Sequence, residues 1–305
     1  MSGESAGGAL EAPSAEAGST LRRRAGRAWP FLPGFGMLFA LFVIPMGFML
    51  VFSLWRTDPD FNLVPDWNLN NYLKFFTVPT YWRTFLKTLV MAVAVTIVGI
   101  SFALPFAYYL VRYLGKTTQR IVLLAVIIPF WTSYLLRVYA WQAILGEHGA
   151  INQILGFFGI EGGIAGLFAY NDLGVFIVLV YVYFPFAALA LYAALERFDF
   201  RQLYAAQDLG ARFDQAFRYI LLPQIRPGII TACIFVFIPI LGEFLTPTLV
   251  GGAQSSLIAN LIVNYFRGAQ IAEGAALAII VAAFVTLLLI AFRKYLRIED
   301  VVARG

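Results

Sequence analysis

A chain of 305 residues that is 61% hydrophobic and only 13% charged has too few charges to cover a water-soluble surface, since soluble domains run near a quarter charged. A bilayer is the expected solvent, with membrane lipid as a partner. The net charge of +5 reads as the Lys/Arg excess that orients membrane proteins, so no nucleic-acid partner is expected. The single cysteine, Cys233, excludes an internal disulfide and a cysteine metal cluster.

Residues 1–28 are rich in Ser, Gly, Ala and Glu and end in the basic run "LRRRAGRAW". They read as a disordered cytoplasmic tail ahead of a permease domain at 29–298. The apolar segment after the arginines is long and no small-residue cleavage site closes it, so it reads as a retained first span rather than a signal peptide. A helix needs about 20 apolar residues to cross a bilayer. Six segments qualify: Phe31–Leu54, Thr88–Val111, Ile121–Leu145, Gly174–Leu195, Ile229–Val250 and Gly274–Phe292. The expected fold class is therefore an all-α integral membrane protein of six transmembrane helices. Five of the six contain a proline (Pro45, Pro105, Pro129, Pro185, Pro239), read either as ordinary packing or as kinks in a protein that opens and closes a path.

Charge orients the spans. The tail, the second connection, the fourth connection and the C-terminus together hold sixteen Lys and Arg, among them Arg22, Arg112, Arg212 and Arg293. The opposite side holds five: Arg56, Lys74, Arg83, Lys87 and Arg267. Both termini are expected in the cytoplasm. The outer third connection, Gly146–Leu173, contains Glu147, Glu161 and Asp172 and no Lys or Arg. It reads either as a solvated loop or as an acidic docking lip for a secreted protein. His148, in the same loop, has no His or Cys partner and reads as a solvated residue.

Between spans four and five lies "YAAQDLGARFDQAFRYILLPQIRPGI", Tyr204–Ile229. Asp199 and Gln202 have the spacing of a capping box. Leu203, Ala206, Leu209, Phe213, Phe217 and Ile220 recur every three or four residues, which predicts one apolar helical stripe. Asp208 with Arg212, and Asp214 with Arg218, are opposite charges four apart. Gly210 interrupts the segment, either because the helix ends and restarts there or because another backbone approaches closely. Pro223 and Pro227 are expected to close it before the fifth span. Such a helix either lies on lipid or offers its face to a cytoplasmic partner.

The same stretch resembles the "EAA" loop of the membrane subunits of bacterial ATP-driven importers: Glu-Ala-Ala, three residues, Gly, nine residues, Ile, any residue, Leu, Pro. Ala205, Ala206, Gly210, Ile220, Leu222 and Pro223 fall in register, and Tyr204 stands where the family usually has Glu. A second stretch, "PILGEFLTPTLVGG" at Pro239–Gly252, resembles permeases of the spermidine/putrescine type, as do "ALERFDFRQLYAAQDLGA" and "GAINQIL". The resemblance runs from about Leu32 to Phe292. It implies a type I ABC importer permease with a cytoplasmic coupling loop at 199–223, between spans four and five. Ala205, Ala206, Asp208, Gly210, Ile220, Leu222 and Pro223 would form the surface that docks on the ATPase. It also implies three partners: a cytoplasmic ABC ATPase dimer, a second homologous permease, and a secreted or periplasmic substrate-binding protein. This chain would then be a transport subunit with no cofactor of its own, ATP and Mg residing on the ATPase. The implied cargo is a small cationic solute, a polyamine. Iron, phosphonate and sulfate permeases carry similar motifs, and a secondary transporter is the remaining alternative.

Glu243 is an acid within the fifth span, a functional candidate by position. On a continuous helix it lies seven residues from the outer end, about 10 Å deep. A polyamine would want such a carboxylate beside aromatic faces, for which Trp131, Tyr134 and Tyr183 are candidates. The competing reading is an ion pair with Arg137 of the third span.

Catalytic motifs fail. "LGKTT" at Leu114–Thr118 has Leu110 where a phosphate loop needs its first glycine. "GFGMLF" at Gly34 has Phe39 where a dinucleotide fold needs its third. No metal set or carboxylate pair lies within the spans, so no catalytic residue is expected.

Overall fold

A computed structural model of the chain describes residues 32–146, 149–157, 170–252 and 255–296. The tail 1–28, together with Glu147, His148 and Glu161, lies outside the described residues. The first span is α1, Leu32–Ser53. Residues up to Val51 form one unit and those from Phe52 a second. α1 is apolar on all sides, as suits a membrane span.

The second unit begins with a hairpin of β1 (Arg56–Thr57) and β2 (Leu63–Val64), paired antiparallel. Then come α2 (Asn70–Thr77) and α3 (Pro79–Tyr113), 35 residues long, its Pro79 in the first turn where a missing N–H costs nothing. After α4 (Lys116–Ile127) come a 3₁₀ turn over Ile128–Trp131, α5 (Tyr134–Leu145), α6 (Ala150–Phe157) and α7 (Asp172–Glu196). The coupling segment holds α8 (Arg201–Asp208), α9 (Phe213–Ala216) and a π-helical turn, Phe217–Leu221. α10 (Leu222–Leu241), α11 (Leu245–Val250), α12 (Ile258–Arg267) and α13 (Ile271–Leu296) complete the described chain.

Spans one, two, four and six are single helices, the second beginning at Pro79, ahead of the expected Thr88. Spans three and five are not. The third divides into α4 and α5 with a 93° bend between them. Pro129 opens the 3₁₀ turn, and Thr132 and Ser133 adopt extended backbone. The fifth stops at Leu241 and resumes at Leu245, so the per-residue rise of a helix no longer measures the depth of Glu243. Pro45, Pro105, Pro185 and Pro239 all sit inside continuous helices. Pro223 and Pro227 do not close the coupling segment; both are incorporated in α10.

The core is a trio of α3, α7 and α10. Its contact faces are small: Ala103 and Ala107 of α3, Ala187 and Ala188 of α7, and Ala232 of α10 are fully buried. A Cβ on Gly228 of α10 would come within 2.2 Å of Ala194 Cβ on α7. Lipid tails are as apolar as leucine, so helices in a bilayer associate through such close van der Waals packing rather than by escaping water.

Candidate functional site

The two broken spans meet. Glu243 lies in the non-helical turn between α10 and α11 and is only 6% exposed. Its Oε2 accepts hydrogen bonds from the hydroxyls of Tyr134 at 2.6 Å and Tyr183 at 3.1 Å. Its Oε1 accepts the backbone N–H of Thr246 at 3.1 Å, in the first turn of α11. An apolar medium makes an unpaired carboxylate costly, so three donors on one carboxyl group are what keeps it buried. Tyr134 is the first residue of α5, so the bend in the third span is what aims its hydroxyl at the fifth.

The ion pair with Arg137 does not form. The Arg137 guanidinium lies 4.7 Å from the Phe130 ring centroid and 5.7 Å from that of Tyr134, and its Nε is buried without a hydrogen bond. The cation rests on aromatic faces instead of a carboxylate. Tyr134 thus carries Arg137 on its ring and Glu243 on its hydroxyl. Of the three expected aromatics, Tyr134 and Tyr183 join Glu243; Trp131, on the 3₁₀ turn, is 89% exposed and stands apart.

Two residues of this site escape a reading by span composition. Thr246 shares a 2.8 Å hydrogen bond with the Tyr134 hydroxyl. Buried Asn260 donates to Phe244 O and Thr248 Oγ1 and accepts from Leu257 N, tying the turn to the start of α12. The available signal is local: Gly242 and Pro247 flank Glu243, and punctuation of that kind marks a turn.

The coupling segment is two short helices. Gly210 has φ of +91°, a conformation that L side chains avoid, and it lies in the turn between α8 and α9. None of the described residues lies within 4 Å of a Cβ built on it, so backbone conformation selects the glycine here. The break divides the expected apolar stripe. Leu203 is buried and Phe217 half-buried, whereas Leu209 is 90% exposed and Phe213 half exposed. Ala205, Asp208 and Gly210 are exposed around Leu209, Ala206 and Ile220 are half-buried, and Leu222 and Pro223 open α10.

Its polar contacts also differ from the expected ones. Asp199 Oδ1 accepts Arg201 N, and Gln202 bonds Gln224 instead of completing a capping box. Arg201 Nε also bonds both Asp199 oxygens, which holds that carboxyl below its usual range. Neither pair spaced four apart forms: Arg212 turns to Asp214 at 3.1 Å. The segment is fastened to α3 by rings. Tyr108 packs edge-on against Phe200, Phe213 and Phe217, and the Arg112 guanidinium lies 4.8 Å from the Tyr204 ring centroid.

Of the three acids expected on the outer face, Asp172 is described. It begins α7 and pairs with Lys87 at 2.8 Å.

Residues 75–298 match the family described as "Binding-protein-dependent transport system inner membrane component". The inner membrane ABC transporter permease protein YdcU of Escherichia coli (strain K12) is 36% identical over 253 residues, 75% of this chain and 80% of that protein. The spermidine/putrescine transport system permease protein PotB of the same organism is 33% identical over 261 residues, 85% of this chain and 94% of that one. A chain from the crystal structure of a bacterial ABC transporter involved in import of the acidic polysaccharide alginate is similar in fold, with a TM-score of 0.72 at 17% identity, covering 91% of this chain and 98% of that chain. The broken spans, the coupling segment and these matches agree: the chain belongs to the binding-protein-dependent inner membrane components, as a multi-pass permease subunit with the type I ABC importer fold.

Proposed function

We propose that the chain forms half of the translocation path for a polyamine, a small cation with ammonium groups on apolar stems. The observation that carries this is the buried Glu243 carboxylate held by two tyrosine hydroxyls at the breaks of two spans. The likeness to a spermidine/putrescine permease over 85% of the chain supports it. An ammonium group would replace one tyrosine donor on Glu243 and lie against the ring of the other.

The termini and the coupling segment face the cytoplasm in this reading, which rests on the distribution of Lys and Arg. The exposed surface around Ala205, Asp208, Leu209 and Gly210 docks on a cytoplasmic ATPase, which carries ATP and Mg. A second permease completes the path, and a soluble binding protein delivers cargo at the outer face; a related fold has been crystallised in complex with a periplasmic protein carrying alginate pentasaccharide.

The test is ATP-dependent uptake of labelled spermidine and putrescine by the assembled transporter in liposomes. Wild-type uptake, lost in Glu243→Gln while the complex and its basal ATPase activity remain, is the expected result. A wild-type transporter that moves neither polyamine would overturn the substrate reading and leave the family membership intact.

A further inference from the structure

Helix α2 has two opposite faces, and among the described residues only one of them meets the protein. Asn71 and Phe75 are buried. About half a turn away, Leu69, Leu73 and Phe76 recur at spacings of four and three, with Leu73 59% and Phe76 75% exposed. Trp67, just before the helix, is 70% exposed. Asn70, Lys74 and Thr77 separate the two faces on one flank. A helix with water around its outer side would carry polar residues there.

Its height in the molecule is fixed by three attachments. The Asn71 side chain donates to the carbonyls of Ser53 and Trp55, where the first apolar segment gives way to the loop. Lys74 Nζ bonds Glu273 Oε1 at 3.0 Å, in the first turn of α13. Val78 leads directly into Pro79, the first residue of α3. α2 therefore lies where three apolar segments begin or end. Below it the exposed surface continues down α3 through Trp82, Leu86, Val90, Val93 and Ile97, spaced four, four, three and four. Arg83 lies against the Trp82 ring at 5.6 Å. Tryptophan beside a cation, at the end of an exposed apolar stripe, is the composition of a headgroup boundary.

We infer that α2 is an interfacial helix whose partner is the phospholipid of the leaflet away from the coupling segment, with Trp67, Leu69, Leu73 and Phe76 seated at the headgroup–acyl boundary. The opposite placement follows from α3, which meets α2 near its first turns and the coupling segment near its last. This inference is independent of the cargo.

The test uses the full chain assembled with its transporter partners in phosphatidylethanolamine–phosphatidylglycerol vesicles. In a Cys233→Ser background, nitroxide labels on Leu69→Cys, Leu73→Cys and Phe76→Cys are expected to show a several-fold higher ratio of oxygen to nickel-chelate collision than labels on Asn70→Cys and Thr77→Cys. Adding the soluble binding protein should leave the ratios unchanged. Equal nickel access at all five positions would mean water covers the face. Shielding of Leu73 and Phe76 from both reagents would mean a protein covers it. Either overturns the inference. A measurement that leaves α2 itself intact checks the same point. The fluorescence lost in Trp67→Phe should be quenched by brominated lipid in the parent and not by aqueous iodide; the reverse pattern overturns it.

Discussion

Tyr134 and Glu243, 109 residues apart in sequence, share a 2.6 Å hydrogen bond that joins the break of the third span to the break of the fifth. The same tyrosine ring carries the Arg137 guanidinium. The acid and the base of this region are therefore linked through Tyr134 and not to each other.

A double-mutant cycle separates the two arrangements. Tyr134→Phe and Glu243→Gln are expected to couple by about 1.5–3 kcal/mol, the range for a hydrogen bond to a charged group. Arg137→Gln is expected not to restore stability lost in Glu243→Gln. Thermal or denaturant unfolding of the purified complex reads both; restoration by Arg137→Gln would indicate a direct ion pair.

Gly210→Phe places a side chain at φ of +91°, and a non-glycine residue held there costs about 1–3 kcal/mol. Insertion of the spans should survive, because none of the described residues occupies the space. Co-purification with the ATPase should fall sharply. A variant that assembles and transports like the parent would remove Gly210 from the docking surface.

Gly228→Val probes the helix trio. The nearest atom to the added Cβ is Ala194 Cβ at 2.2 Å, so α7 and α10 must separate. Overpacking of this kind costs about 1–3 kcal/mol, expected as a lower Tm of the complex with ATPase docking retained. Gly228→Val combined with Ala194→Gly should recover part of the loss.

Tyr204 tests the fastening between the coupling segment and α3. Tyr204→Ala removes the stack on Arg112, worth about 0.5–1 kcal/mol at an exposed site, and should lower uptake per ATP hydrolysed. Tyr204→Glu offers Arg112 a carboxylate in place of the ring and should retain coupling. Parallel assays of uptake and ATPase activity read the ratio.

Hydropathy located four spans as single helices, although the second begins at Pro79 and not at Thr88, because a lipid-facing helix must be apolar along its whole length. It passed over both breaks because a broken span is as apolar as an intact one. Proline was a poor guide: Pro129 lies at a break, but Pro45, Pro105, Pro185 and Pro239 lie within helices. Glu243, Tyr134 and Tyr183 were legible as a set through the cost of a carboxylate in hydrocarbon. Asn260 was not, because its role depends on a turn that brings Phe244 and Leu257 together. The stripe through Leu209 failed for the same kind of reason. Helical periodicity assumes one axis, and the positive φ at Gly210 starts a second.

The breaks have a mechanical consequence. The α4–α5 bend, the α10–α11 turn and Pro185 of α7 are drawn to one level by the bonds of Tyr134 and Tyr183 to Glu243. Pro185 has no N–H to donate to Tyr181, so the ladder of α7 lacks a rung there. A seam thus crosses three of the six spans, with α5 and α11 packed on each other in one storey and the stems α4 and α10 leading away in the other. Sliding one storey over the other strains a handful of side-chain bonds at Glu243 and leaves the helical ladders of the stems whole. Among the described spans of the second unit, α3 runs as one helix although it holds Pro105, and α13 has no proline; they are the posts against which such a shear would turn.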